Sequence, residues 1–121
     1  MPVGVVTGAS AGIGRACAEA LLGSGWQVAL LARNGDALAK VAGDNAQALV
    51  LPCDVTDEAQ VEAAFDAIQT RFGRVDLLFN NAGLMPEGAL IDAVSLDAWQ
   101  QAVDVNLTGM FLCARAAFGR M

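Results

Sequence analysis

The sequence predicts an α/β fold in which a parallel sheet carries helices on both faces. Three observations predict it. Short apolar, β-branched runs alternate along the whole chain with segments whose apolar residues recur at helical spacing. The links between them are short and hold Gly, Pro, Asn or Asp. The first link is glycine-rich and joins a strand directly to a helix. Strand–helix repeats with such links form a doubly wound sheet with right-handed crossovers.

Val3, Val5 and Val6 make the first strand, a run suited to burial on both faces. Ile13, Ala16, Cys17, Ala20 and Leu21 recur at helical spacing behind it, up to the stop at Gly23-Ser24-Gly25. Residues 26–32 form the second strand, and a helix over 36–42 ends at Gly43. A third strand over 48–51 meets Pro52. Thr56 is the expected N-cap of a helix with the stripe Val61, Ala64, Phe65, Ile68 and Phe72, ending at Gly73. Residues 75–79 form the fourth strand. A loop with Pro86 and Gly88 follows, and Ser95 caps one last helix on which Trp99, Val103, Leu107, Met110, Phe111 and Ala114 recur.

Length and composition narrow the function. The 121 residues suffice for one domain, and 55% hydrophobic against 17% charged residues describe a globular chain. The net charge of −6, with seven scattered basic residues, argues against nucleic-acid binding. The longest apolar stretch, over 107–118, includes Arg115 and falls short of the ~20 residues of a membrane span. The first strand begins at once, which leaves no room for a signal peptide. Cys17, Cys53 and Cys113 lack the spacing of a zinc site, and the chain has no histidine, so no metal site is expected. Three unpaired, widely separated cysteines are read as small buried hydrophobes in a reducing, cytoplasmic compartment.

The segment Thr7-Gly8-Ala9-Ser10-Ala11-Gly12-Ile13-Gly14 carries most of the chemistry. Its glycines sit where a strand becomes a helix N-terminus, where free backbone N–H groups and the helix dipole favour an anion. Glycine there lets a pyrophosphate approach the backbone and lets the helix pack on the sheet. The spacing G-x-x-x-G-x-G differs from G-x-G-x-x-G, and a tight turn without a ligand is the alternative. No Gly-Lys-Ser/Thr follows, which argues against a P-loop.

The second strand ends at Ala32-Arg33-Asn34, about 20 residues on, where a dinucleotide fold meets the adenosine ribose. No carboxylate stands at that tip, and Arg33 offers a guanidinium fork suited to a 2′-phosphate, so NADP(H) is preferred over NAD(H); a solvated surface Arg is the alternative. Asp54, past the third strand, either accepts from an adenine amine or caps the next helix. Asn80 and Asn81 are unusual at the end of an apolar strand and read as amides that grip backbone, while Ala82 and Gly83 keep that edge slim. Asn106 shares the inward stripe of the last helix, next to the weak helix formers Thr108 and Gly109. It is either an amide satisfied locally at a helix bend or one that orders water near a reaction centre.

In order and spacing these motifs resemble the short-chain dehydrogenase/reductase family across the whole chain: Thr7 to Gly14, Asp54-Val55, Asn80-Asn81-Ala82-Gly83 and Asn106. The resemblance implies a Rossmann-type sheet, strand order 3-2-1-4 in the part present, that binds NAD(P)(H). It implies hydride transfer between nicotinamide and a small-molecule carbonyl or alcohol. Gly8, Ser10, Gly12, Ile13 and Gly14 would lie against the phosphates and ribose, Asp54 and Val55 near adenine. Asn80, Ala82 and Gly83 would tie the sheet together beside the cofactor, with Thr7 bonding toward them. Asn106 matches the asparagine of the family's catalytic tetrad. Arg33 matches a basic position of NADP-preferring members, and Asn34 adjoins it. A second such position is Ala11 here, so the NADP(H) preference rests on Arg33.

The departure is large. The family's catalytic serine and Tyr-x-x-x-Lys belong after the helix with which this chain closes, the chain has no tyrosine, and Ser10, Ser24 and Ser95 lie elsewhere. Nothing present is placed to protonate a developing alkoxide. Residues 1–121 are therefore expected to be a single dinucleotide-binding domain, the N-terminal half of a longer enzyme and inactive alone. The alternative is a non-catalytic dinucleotide-binding or oligomerisation module complete at Met121. The fourth strand would be an apolar edge, and the apolar surface of the last helix suits a neighbouring segment or a homo-oligomer (dimer or tetramer). A substrate pocket would draw on this chain only through the 84–90 loop.

Overall fold

Strands β1 (Val3–Thr7), β2 (Gln27–Ala32), β3 (Ala48–Pro52) and β4 (Leu77–Phe79) pair in parallel in the order β3-β2-β1-β4, as expected. This computed structural model describes residues 1–84, 88 and 90–121; Pro86 lies outside them. Side chains alternate across the pleat. Val3, Val5, Ala29 and Leu31 face one way, onto helix α3 (Glu58–Phe72) and helix α5 (Gly109–Phe118), where Phe65, Ile68, Leu112 and Cys113 complete one core. Val6, Val28 and Leu30 face the other way. There α1 (Gly12–Gly23) and α2 (Gly35–Ala42) bring Ala18, Leu38 and Val41. Two helices on each face bury β1 on both sides, which is why its sequence carries no polar side chain before Thr7.

Three boundaries differ from the sequence reading. The N-cap of α3 is Asp57, whose carboxylate accepts from the Gln60 N–H at 3.1 Å, because the Thr56 hydroxyl is committed to Asp54. β4 starts at Leu77 rather than at residue 75. The Asp76 carboxylate takes the Val3 N–H at 2.8 Å in place of a strand carbonyl, and Val75 is buried just before it. The single last helix is α4 (Leu96–Val103), then a π-helical turn (Asp104–Thr108), then α5. Ser95 does cap α4, accepting from the Ala98 N–H at 3.1 Å.

The stripe expected to point inward on that last helix faces solvent instead. Leu107 is 67% exposed, and Trp99, Phe111 and Asn106 are exposed as well. The buried face is Gly109, Leu112, Cys113, Ala116 and Ala117. The reason is close approach: a Cβ on Gly109 would meet Val55 Cγ2 at 2.8 Å, so the absence of a side chain at 109 lets this face settle on the chain after β3. Ion pairs fasten the rim, Arg115 to Glu58 at 3.0 Å and Arg120 to Asp66 at 2.6 Å. The cysteines follow the sequence reading in part. Cys53 and Cys113 are buried and Cys17 is half-buried.

Thr7 closes β1 and is fully buried. Its Oγ1 accepts from the N–H groups of Asn81 at 2.9 Å and Ala82 at 2.8 Å, fixing the chain that leaves β4 against the end of β1. Replacing Thr7 by Val keeps the shape, strands the Ala82 N–H and leaves the Asn81 N–H with only the Phe79 carbonyl at 3.0 Å. Thr7→Val is expected to lower unfolding free energy by about 1–3 kcal/mol in urea titration.

Candidate functional site: a groove across the strand ends

The carboxyl ends of all four strands border one groove of about 260 Å³. In an open parallel sheet this is where ligands settle, at the point where the strand order reverses. Here that point lies between β1 and β4. Gly8 and Ser10 form one wall, Arg33 and Asn34 follow β2, Asp54 and Val55 follow β3, and Ala82 and Gly83 follow β4. An adjoining hollow extends past Arg33 and Asp54 to Gln101 and Asp104.

The glycine turn is built by necessity. Gly8 and Gly12 have φ of +64° and +58°, a region that disfavours side chains. Gly14 is buried, and a Cβ on it would strike the Gly8 carbonyl oxygen and stand 2.5 Å from Asn81 Nδ2. The start of α1 has Ala11 as N-cap, with no side-chain cap and no acidic residue in its first turn. Its backbone donors are thus left to whatever occupies the turn. Ile13 stands 73% exposed on that turn and, with Gly12, outside the groove lining.

The asparagines grip backbone. Asn80 Nδ2 donates to the Met110 carbonyl at 2.8 Å, linking the end of β4 to α5. Asn80 Oδ1 is buried and has no partner among the described residues. Asn81 Nδ2 reaches the Gly8 carbonyl at 3.4 Å. Asn106, in the middle of the π-helical turn, pairs with both backbone groups of Leu84: Oδ1 accepts from its N–H at 2.7 Å and Nδ2 donates to its C=O at 2.8 Å. Asn106 is therefore not the buried amide its place on the apolar stripe suggested. Its amide is satisfied by the loop that leaves β4. Asn34 caps α2, its side chain accepting from the Ala37 N–H at 3.1 Å.

Asp54 is held by its neighbour. Its Oδ1 accepts from the Thr56 hydroxyl at 2.7 Å and from the Thr56 N–H at 3.0 Å. The hydroxyl bond, then the N–H bond, hold the carboxyl below its ordinary value; partial burial opposes them and Arg33 adds to them. Of the two uses foreseen for Asp54, capping α3 is taken by Asp57. Leu84, which opens the loop expected to touch substrate, lines the groove, as do Cys53 and Val105, which the sequence does not mark as site residues. Cys53 was legible in principle, one residue before Asp54 at the same strand end. Burial, with Asp54 and Asp57 adding, pushes its thiol up to about 11, so it is a neutral wall at pH 7. Val105 reaches the groove from the π-helical turn, which no local pattern announces. Residues 85–87 and 89 of the loop expected to touch substrate lie outside the described residues.

A family model described as short chain dehydrogenase matches residues 2–121. The chain belongs to the short-chain dehydrogenase family. Among curated members of this family it is 41% identical to D-threitol dehydrogenase of Mycolicibacterium smegmatis, over 98% of this chain and 47% of that one. It is 35% identical to a 3-oxoacyl-[acyl-carrier-protein] reductase of Synechocystis, over 94% of this chain and 48% of that one. A crystal structure of 3-ketoacyl-(acyl-carrier-protein) reductase from Brucella melitensis complexed with NADH superposes with a TM-score of 0.95 at 32% identity. That match covers 98% of this chain and 49% of the other. The chain thus spans about half the length of the short-chain dehydrogenases it matches. No described helix is long and apolar enough to cross a membrane.

Two outcomes follow from the geometry. Gly14→Ala is expected to lower stability by about 1–3 kcal/mol, read by thermal unfolding, because the Cβ would strike the Gly8 carbonyl, which is backbone and has to shift. A carboxyl depressed in the folded state stabilises the fold above its ordinary value of 3.8, and the contribution is lost as pH falls through the lower folded value. The Asp54 carboxyl resonance is accordingly expected to titrate with a midpoint below 3.8 in NMR.

Proposed function

We propose that this chain is the cofactor-holding part of an NADP(H)-dependent oxidoreductase acting on a small-molecule carbonyl or alcohol. The observation that carries the reading is a groove at the strand reversal that holds Arg33 together with Gly8 and Ser10, the residues that lead into the uncapped N-terminus of α1. The groove fits such a dinucleotide. The start of α1 has no side-chain cap, and Arg33 makes no ion pair among the described residues. Bound there, the nicotinamide dinucleotide supplies or accepts the hydride.

The chain's own residues bind and orient. Backbone donors around Gly12 to Gly14, with Ser10, receive the pyrophosphate, while Arg33 receives the 2′-phosphate as a charge-assisted fork. Asn34 shapes that corner by capping α2. Asp54 accepts from the adenine amine, and Val55 forms the apolar floor beside it. Ala82 and Gly83 would border the nicotinamide half, on a loop that Thr7 and Asn80 hold in place. Asn106 steadies the same loop by tying Leu84 to the π-helical turn, its proposed part in organising the reacting end of the groove. The proton that a developing alkoxide needs comes from a group outside this set, since the chain has no tyrosine. By itself the chain is proposed to bind cofactor without turnover.

The exposed face carrying Leu107, Met110, Phe111 and Phe118 supports a homo-oligomer built through α5. The cytoplasm is the proposed location, in keeping with free thiols at Cys17, Cys53 and Cys113. The test is a binding titration of both reduced dinucleotides followed by nicotinamide fluorescence. Arg33→Ala is expected to weaken NADPH about tenfold or more and to leave NADH within about twofold. NADH binding as tight as NADPH to the unaltered protein overturns the NADP(H) preference.

A further inference from the structure

Arg33 and Asp54 line the same groove with opposite charges, yet no ion pair joins them among the described residues. Long-range attraction between them is present, since Arg33 helps to hold the Asp54 carboxyl ionised. Something keeps the carboxylate from swinging onto the guanidinium. Both donors of Thr56, hydroxyl and N–H, converge on the one oxygen Oδ1. Oδ2 accepts from nothing among the described residues. The backbone on the other side is tied too: the Asp54 N–H donates to Gln60 Oε1 at 2.9 Å, and Gln60 Nε2 donates to Asp57 Oδ2 at 3.3 Å. Backbone and one carboxylate oxygen are therefore fixed, and one oxygen is left for the groove.

We infer that Thr56 is a positioning residue that clamps the Asp54 carboxylate away from Arg33, keeping each charge available for a different part of the dinucleotide. The inference rests on the proposed cofactor reading. The clamp leaves Oδ2 as an acceptor for an exocyclic amine and leaves the Arg33 fork unneutralised for a phosphate. Removing only the hydroxyl leaves Oδ1 with the single Thr56 N–H bond at 3.0 Å, which lets the carboxylate turn toward Arg33. That single change then erodes two selectivities that belong to different residues, adenine recognition by Asp54 and phosphate recognition by Arg33.

The experiment measures the affinities of the protein for NADPH, for NADH and for the hypoxanthine analogue of NADPH, which replaces the amine by a carbonyl. The unaltered protein is expected to favour NADPH over each of the others by about tenfold. Thr56→Val, which matches threonine in shape, is expected to cut both ratios at least threefold, and Thr56→Ser to restore them. Adding Asp54→Asn to Thr56→Val removes the competing charge and is expected to recover the NADPH-to-NADH ratio but not the adenine preference. If Thr56→Val does not fold, Thr56→Ala is used for the same comparison. Either ratio unchanged in the variant, or all three ligands weakened alike as loss of loop structure would do, overturns the clamp. Ratios near one in the unaltered protein overturn the NADP(H) preference on which the inference rests, and no binding of any of the three overturns the cofactor reading itself.

Discussion

A single buried hydroxyl decides how the two halves of the groove meet. Thr7 Oγ1 holds two successive N–H groups of the chain that leaves β4, at the point where the strand order reverses. Those donors have no strand to bond, because β4 has ended and the chain is turning away. Thr7 is thus a side chain acting as the missing neighbour carbonyl. The consequence spreads through contacts. With the Asn81–Ala82 peptide fixed, Asn81 reaches the Gly8 carbonyl, and Gly14 must lack a side chain to fit beneath both. The turn that begins α1 and the loop that follows β4 are therefore one unit.

The same economy of space governs the other face. α5 reaches the chain after β3 because Gly109 lies against Val55, and Asn80 then takes the Met110 carbonyl. Asn106 adds two bonds to Leu84. Each of these contacts joins one strand end to a helix two or more elements away. The groove walls are held by long-range backbone recognition, and few of the groups involved point into the groove themselves.

The sheet was legible because its signals are local. Val3, Val5 and Val6 can be buried only in a strand covered on both faces, and the glycine turn can only join a strand to a helix. The strand ends named Arg33, Asp54 and Gly83 as groove residues for the same reason, since a parallel sheet brings its carboxyl ends together. The last helix was misread because apolar periodicity records which face is greasy and says nothing of which face has room. Trp99, Leu107 and Phe111 are large, while Gly109, Cys113, Ala116 and Ala117 are small enough for α5 to dock on α3. Thr56 was misread as a cap because Asp57, one residue later, competes for the same role and the Asp54 carboxylate competes for the hydroxyl.

The π-helical turn at Asp104–Thr108 has a consequence for register. Such a turn takes up one residue more than an α-helical turn, so everything after it is rotated by about 100° relative to an uninterrupted helix. The faces of α4 and α5 are out of phase by that amount. A one-residue deletion inside the turn would leave a continuous, well-formed helix and yet be worse than most point substitutions. It would carry Gly109 off Val55 and Asn106 off Leu84 in the same stroke. Local regularity and global fit are opposed in this segment, and the irregular turn is what keeps the second.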